Sequence, residues 1–215
     1  MRPMFAQGFR RIVVALVALA AALIALPGPA TAMEREALLG ALLGGGYVVY
    51  FRHAETDWSQ RDRIDSQASL ASCDAARMRQ LSDQGRATAR AVGAAMRRLG
   101  IPVSAVYASE YCRCVETADL LDVGPVETTR DILNMRAAQY AGGHAALAAA
   151  ARMRLSTSPP LGSNVVLVAH GNVFMAVANT RPPEGGAAIV SPTGEGRFEV
   201  VGMLSARDWI AAAGE

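Results

Sequence analysis

The chain has no His-x-x-x-His pair and no carboxylate cluster at ligand spacing, so nothing in it suggests a zinc or calcium centre. Neither a metal nor another cofactor is expected. There is no internal repeat, no interdomain linker and no low-complexity region beyond a richness in alanine, which excludes a solenoid or a chain of modules. Uncharged apolar runs are also scarce. The longest, residues 12–26, is short for a membrane span. It follows Arg2, Arg10 and Arg11 and precedes Pro27, Pro29 and Ala30-Thr31-Ala32. A charged start, a short apolar stretch and a small-x-small site make a secretory signal peptide. Residues 1–32 are therefore expected to be that signal. Residues 33–215 are expected to form one domain, periplasmic or secreted, with no stable membrane insertion after cleavage. An uncleaved N-terminal anchor is the alternative.

An excess of positive charge is missing too. The formal +2 of the 215 residues includes the three arginines of the leader, which has no acidic residue. What remains is 18 basic against 19 acidic side chains, a net charge of about −1. That removes the basic field a nucleic-acid partner would need, and any anion binding has to be local. Only three cysteines occur. Cys112 and Cys114 are two apart and would not face each other on a helix. In an exported protein Cys73 with Cys112 is the preferred pair, leaving Cys114 a buried thiol; three reduced cysteines are the alternative.

What the sequence does contain is alternation of strands and helices. Helices are expected over residues 34–43, from an N-cap at Ser82 to about Leu99, from Ser109 to about Leu121, and over 145–155 and 172–179. Strands are expected at 47–51, 105–108, 126–128 and 165–169, and a terminal hairpin at 187–191 and 198–204. Residues 57–78 read as a long polar loop. On the second helix Val92, Met96 and Leu99 make the core stripe, and Arg86, Arg90, Arg97 and Arg98 the solvated side. The pattern implies an α/β domain, a three-layer α/β/α sandwich with a largely parallel sheet.

Three of these strands end in ionisable or hydroxylated residues: Arg52-His53, then Ser109 with Arg113 shortly after, then His170-Gly171. In a parallel sheet the carboxyl ends share one edge, where ligands bind. Two arginines, two histidines and a helix N-terminus converging there suit a multiply charged oxyanion.

Four segments then resemble the histidine phosphatase superfamily, the phosphoglycerate-mutase-like proteins, and among them its compact exported branch. They are Arg52-His53-Ala54-Glu55-Thr56, Arg79-Gln80-Leu81-Ser82-Asp83-Gln84-Gly85-Arg86, the run from Ser109 through Cys112-Arg113-Cys114 to Ala118, and Val168-Ala169-His170-Gly171. The resemblance implies a nucleophile at His53 that forms a phosphohistidine, with Arg52, Arg113 and His170 holding the phosphoryl oxygens. It implies an exported, metal-independent phosphomonoesterase acting on a phosphorylated small molecule or a cell-envelope sugar phosphate. A non-catalytic phosphate-binding module and a mutase-type phosphotransferase are the alternatives.

The sequence departs from the family at the general acid. Met135 stands where mutase-like members carry a glutamate, and no glutamate occurs between Glu127 and Glu184. Glu184, in the loop after the second histidine, is the preferred candidate acid; Asp131 and Glu110 are weighed beside it. Trp58 and Tyr111 are candidates for the pocket mouth, with packing as the default. Arg61 and Arg63 are expected in solvent, with substrate contact as the alternative, and His144 at an exposed helix start.

Overall fold

A computed structural model describes residues 33–214 of the protein; the expected signal segment lies outside the described residues. Its centre is β1 (Val48–Arg52), whose first four residues are 0–1% exposed, as a strand covered on both faces must be. Successive side chains of a strand point to opposite faces. Tyr50 meets Phe174 on one side, ring centroids 4.6 Å apart, and Phe51 meets Trp209 on the other at 6.0 Å. Phe174 belongs to α5 (Gly171–Ala178) and Trp209 to α6 (Ala206–Ala212). Those two contacts place one helical layer on each face of the sheet. On α5's side lies α4 (His144–Ser156); on α6's side lies α2 (Asp83–Arg98), which packs on α3 (Cys112–Leu121), and α1 (Arg35–Gly44) precedes β1 in the chain. The three-layer α/β/α sandwich is the observed architecture.

The sheet has six strands in the order β3-β2-β4-β1-β5-β6. β2 (Val103–Ser109), β3 (Val126–Thr129) and β4 (Asn164–Ala169) run parallel with β1, and β5 (Ala187–Gly194) and β6 (Arg197–Leu204) extend it as an antiparallel hairpin. Register decides which residues meet at the sheet's edge. Arg52 lies opposite Ala169 and Ala108 opposite Val168, so β1, β4 and β2 finish at the same level and the residues after them converge.

Several local expectations are corrected. Ser109 closes β2 instead of opening a helix; α3 starts at Cys112 with Tyr111 as its N-cap residue. The loop after β1 holds a single 3-10 turn, Ala68–Ala71, and a second, irregular one spans Met135–Ala141. The C-terminal helix α6, with a Ser205/Asp208 capping box, is additional to the elements expected. Ser82 does cap α2, its Oγ accepting the Gly85 N–H at 3.0 Å, and Val92 and Met96 are fully buried beneath it. The arginines of α2 are not merely solvated. Arg86 pairs with Glu116 at 2.6 Å, Arg97 donates to the Leu121 carbonyl at 2.7 Å, and Arg98 donates to the Ala213 carbonyl. Their long stems let the charge reach the ends of neighbouring helices, where bare carbonyls gather. At Gly93 the α3 backbone of Leu121 approaches so closely that no Cβ would fit.

Cys73 and Cys112 form a disulfide, Cα atoms 5.4 Å apart, and Cys114 is a buried free thiol. With its ends 39 positions apart, the chain-entropy view gives such a bridge about 4 kcal/mol. It clips the loop after β1 to the first residue of α3.

Candidate active site

The carboxyl edge of the parallel strands opens into a cleft of about 190 Å³. His53 and His170 form its buried part, 3% and 1% exposed. Sheet register brings them together: the His53 N–H donates to the Ala169 carbonyl at 2.9 Å, continuing the β1–β4 ladder, and the two rings stand edge-on with centroids 5.5 Å apart.

His53 is oriented by its own backbone. Nδ1 lies 2.9 Å from the Ala54 carbonyl, which can only accept, so Nδ1 carries the proton and the lone pair is on Nε2. The Ala54 N–H is in turn held by Thr117 Oγ1 at 3.1 Å, and the Gly185 N–H donates to the Arg52 and His53 carbonyls. His170 is set by Ser109 Oγ at 3.0 Å from Nε2 and by its carbonyl, which accepts from Tyr50 Oη at 2.8 Å. Cys114 Sγ lies 3.5 Å from the same Nε2; burial pushes its thiol up to about 12, so it is a neutral neighbour.

Burial holds both imidazoles well below their ordinary 6.5, and Arg113 adds to the effect on each. They are neutral around pH 7, the state in which a histidine can act as a nucleophile. The same shift makes stability pH-dependent. Below about pH 6.5 the unfolded chain binds protons that the native pair refuses, so the stability present above that value is lost as pH falls. The slope approaches ~1.4 kcal/mol per pH unit for each histidine. In phosphate-free buffer the melting temperature is expected to drop steadily from pH 6.5 to 5, and His170→Asn to remove about half of that slope. A flat profile would contradict the burial of the pair.

Arginines surround the histidines. Arg52, Arg79, Arg136 and Arg181 line the cleft, as do Asp62 and Trp58. Trp58, 67% exposed, stacks on the Arg79 guanidinium at 3.9 Å and stands at the mouth. Arg113 sits behind them, 1% exposed, and takes a bidentate contact from Asp62: Nη1 to Oδ1 at 3.0 Å and Nη2 to Oδ2 at 3.1 Å. Asp62 Oδ1 also accepts the Arg79 N–H at 3.0 Å. Arg113 Nε is left buried without a partner, an orphan donor of the kind an oxyanion satisfies.

The strand-end residues Arg52, His53, Ser109 and His170 thus come together as expected, with Arg113 one layer deeper. Glu184 is linked to the site through Arg52, whose Nη2 it accepts at 2.7 Å, but it is not among the cleft-lining residues. The other carboxylates weighed from the sequence lie elsewhere: Asp131 on Arg154 at 2.7 Å and Glu110 on Arg130 at 2.9 Å. Arg61 and Arg63 are exposed and outside the cleft lining, and His144 starts α4 in solvent. Tyr111 is fully buried between His170 and Arg113, a packing role.

Asp62, Arg136, Arg181, Asn134 and Asn172 are not legible in the sequence as site residues, and Arg79 is visible only as part of a motif. The one signal for Asp62 is its place in a loop too long to be a mere connection.

A family model of the histidine phosphatase superfamily (branch 1) matches residues 48–156. No curated protein sequence matches this chain. Among solved structures, the protein histidine phosphatase SixA in complex with tungstate is 15% identical, covering 75% of this chain and 98% of its own, with a TM-score of 0.53. A candidate alpha-ribazole-5'-P phosphatase from Escherichia coli K-12 is 18% identical, covering 75% of this chain and 98% of its own, with a TM-score of 0.50. A mycobacterial glucosyl-3-phosphoglycerate phosphatase is 18% identical over 73% of this chain and 98% of its own, at 0.49. With the matched region running from β1 through α4 and the two histidines side by side at the strand ends, the chain belongs to the histidine phosphatase superfamily.

Proposed function

We propose that this protein is an exported phosphomonoesterase that works through a phosphohistidine on His53. The observation that carries the reading is the His53 ring. Its Nδ1–H is tied to the Ala54 carbonyl and its Nε2 is neutral, inside a cleft walled by arginines. In the first step the Nε2 lone pair attacks phosphorus, the P–O bond to the leaving group breaks, and the leaving oxygen takes up a proton. In the second, water attacks the phosphorus and gives a proton back to the group that protonated the leaving oxygen, the N–P bond returns its electrons to Nε2, and phosphate departs. His170 and the guanidinium groups of Arg52 and Arg113 stabilise charge on the phosphoryl oxygens during both steps, chiefly by positioning and electrostatics.

The proton donor we propose is Glu184. Asp62 is the less suitable group, because both its oxygens are already engaged by Arg113 and one also by the Arg79 amide. Glu184→Gln is expected to leave turnover of p-nitrophenyl phosphate within about threefold. The same change should slow an alkyl phosphate, whose leaving oxygen needs a proton, on the order of 10²-fold. Equal losses on both esters would remove Glu184 from that role.

Export is supported by the leader-like segment and by the Cys73–Cys112 bridge, which belongs in an oxidising compartment. The substrate class is a phosphorylated small molecule or cell-envelope sugar phosphate, and solved relatives named as phosphatases agree with hydrolysis. The deciding experiment is rapid quench with a phosphoryl-labelled ester. Label on His53, lost in acid and kept in alkali, is the expected result. Phosphate binding without any label on His53 would favour a non-catalytic module, and transfer to a second alcohol without release of phosphate would favour a mutase.

A further inference from the structure

Charge in and around the cleft exceeds what one phosphoryl group needs. Arg52, Arg79, Arg136 and Arg181 line it and Arg113 lies behind, against two carboxylates, Asp62 on Arg113 and Glu184 on Arg52. Five cations against two anions leave a surplus of three, within a domain whose own net charge is about −1. A phosphate monoester carries about −1.5 to −2 near neutral pH. At least one positive charge has no counterpart in such a substrate.

The surplus has a location. Arg136 and Arg181 are exposed at the cleft, and no carboxylate among the described residues pairs with either. Arg86 on Glu116, Arg130 on Glu110 and Arg154 on Asp131 are neutralised by acids; Arg136 and Arg181 differ in that they keep their charge at the cleft. The backbone beneath Arg136 is also held in place. Asn134 Oδ1 accepts the Arg136 N–H at 3.0 Å and Asn172 Nδ2 at 2.7 Å, and the Met135 N–H donates to Asn172 Oδ1 at 3.4 Å. The backbone carrying Arg136 is thereby pinned to the first turn of α5, next to His170. Arg181 comes from the other end of α5 and lies back over its start. A methyl group on Gly171 would stand 3.4 Å from Arg181 Cδ and 3.2 Å from Arg52 Cδ, so the two stems flank one glycine. Arg136 and Arg181 thus both stand beside the phosphoryl site, and for Arg136 the backbone is already ordered when an anion arrives.

We propose that Arg136 and Arg181 form a second anion subsite, so that the preferred substrates are phosphate esters bearing a further negatively charged group, a carboxylate or a second phosphate. This rests on the phosphomonoesterase reading for the position of the phosphoryl group. Arg136 and Arg181 are specificity-determining residues in it, binding the part of the substrate that does not react.

The test compares esters that differ by one carboxylate: phenyl phosphate with its 2-, 3- and 4-carboxyphenyl counterparts, and glycerol 3-phosphate with 3-phosphoglycerate. Affinities are read by calorimetry on His53→Ala protein, which removes turnover, and the same ratios are read as kcat/KM on the wild-type chain. At least one carboxylated ester is expected to bind about tenfold tighter than its parent, and R136Q/R181Q to bring that ratio to within about twofold of one. The inference is overturned by equal affinities throughout, or by a preference that survives the double substitution. It is also overturned if every carboxylated ester gains alike and the gain vanishes at about 0.5 M salt, since that is a general field without a site. A binding preference with no turnover by the wild-type chain would sink the phosphatase reading and leave the subsite standing. Turnover with no preference would do the reverse.

Discussion

Replacing His53 with alanine is expected to lower kcat for p-nitrophenyl phosphate on the order of 10⁴-fold or more, the scale seen when a covalent nucleophile is deleted. The size of the effect follows from how completely the site depends on that one ring. His53 is fixed at both ends, through its N–H on the Ala169 carbonyl and its Nδ1 on the Ala54 carbonyl. His170 cannot replace it readily, because its Nε2 already faces Ser109 and Cys114. p-Nitrophenyl phosphate is the right probe, since its good leaving group makes the assay insensitive to the proton donor. The arginines stay in place in the variant, so binding of inorganic phosphate should survive while turnover disappears. Turnover within about tenfold of wild type would mean that water attacks directly and that His53 is only a ligand of the phosphoryl group.

Asp62→Ala is expected to destabilise the fold by about 3–5 kcal/mol, measured by denaturant unfolding. Arg113 is a fully buried cation whose two terminal nitrogens are satisfied by one carboxylate, itself with a side chain only 8% exposed. Removing the acid leaves the guanidinium in a poor dielectric with one remaining long contact, Nη1 to the Arg79 carbonyl at 3.3 Å, and an Nε that already lacks a partner. A loss of this size is a large part of the total stability of an ordinary domain. The molecule also suggests the remedy. An oxyanion entering the cleft could replace the missing carboxylate on the fork, so phosphate or tungstate at about 100 times its dissociation constant should return about 2.7 kcal/mol by linkage. Asp62→Asn, which keeps the shape and one acceptor, should fall between the two. A cost below about 1 kcal/mol would show that water reaches Arg113.

The parts of this site that are legible in the sequence are those the backbone builds. Residues 47–51 and 165–169 are apolar enough to be buried on both faces, and each stops at an ionisable residue, so a parallel register alone predicts that His53 and His170 meet. Ser109 misleads for a physical reason. It has the side chain of a good N-cap, but its hydroxyl is spent on His170 and the helix waits until Cys112. Asp62 is hidden because its loop has neither helical nor strand periodicity; its place depends on Arg113, and the loop is clipped to α3 by the disulfide. Arg136 and Arg181 are hidden likewise. Each sits in an irregular segment whose path is set by Asn side chains and by the length of α5, neither of which leaves a pattern along the chain. The disulfide is legible only as a preference: helix geometry disfavours Cys112 with Cys114, but it does not choose between them as the partner of Cys73.

The cations of the cleft share one chemical trait with the whole chain: all 21 of its basic side chains are arginine, and lysine is absent from the sequence. A guanidinium does not give up its proton at any pH a protein survives. The wall that receives the phosphoryl group therefore behaves as a fixed electrode, and alkalinity cannot discharge it. Around neutral pH the charge that changes there is that of the ester, since burial keeps both imidazoles and the Cys114 thiol neutral. Nor does the wall offer an amine to acylating reagents or acetyl donors, so the positive field around His53 is set at synthesis and lasts as long as the fold.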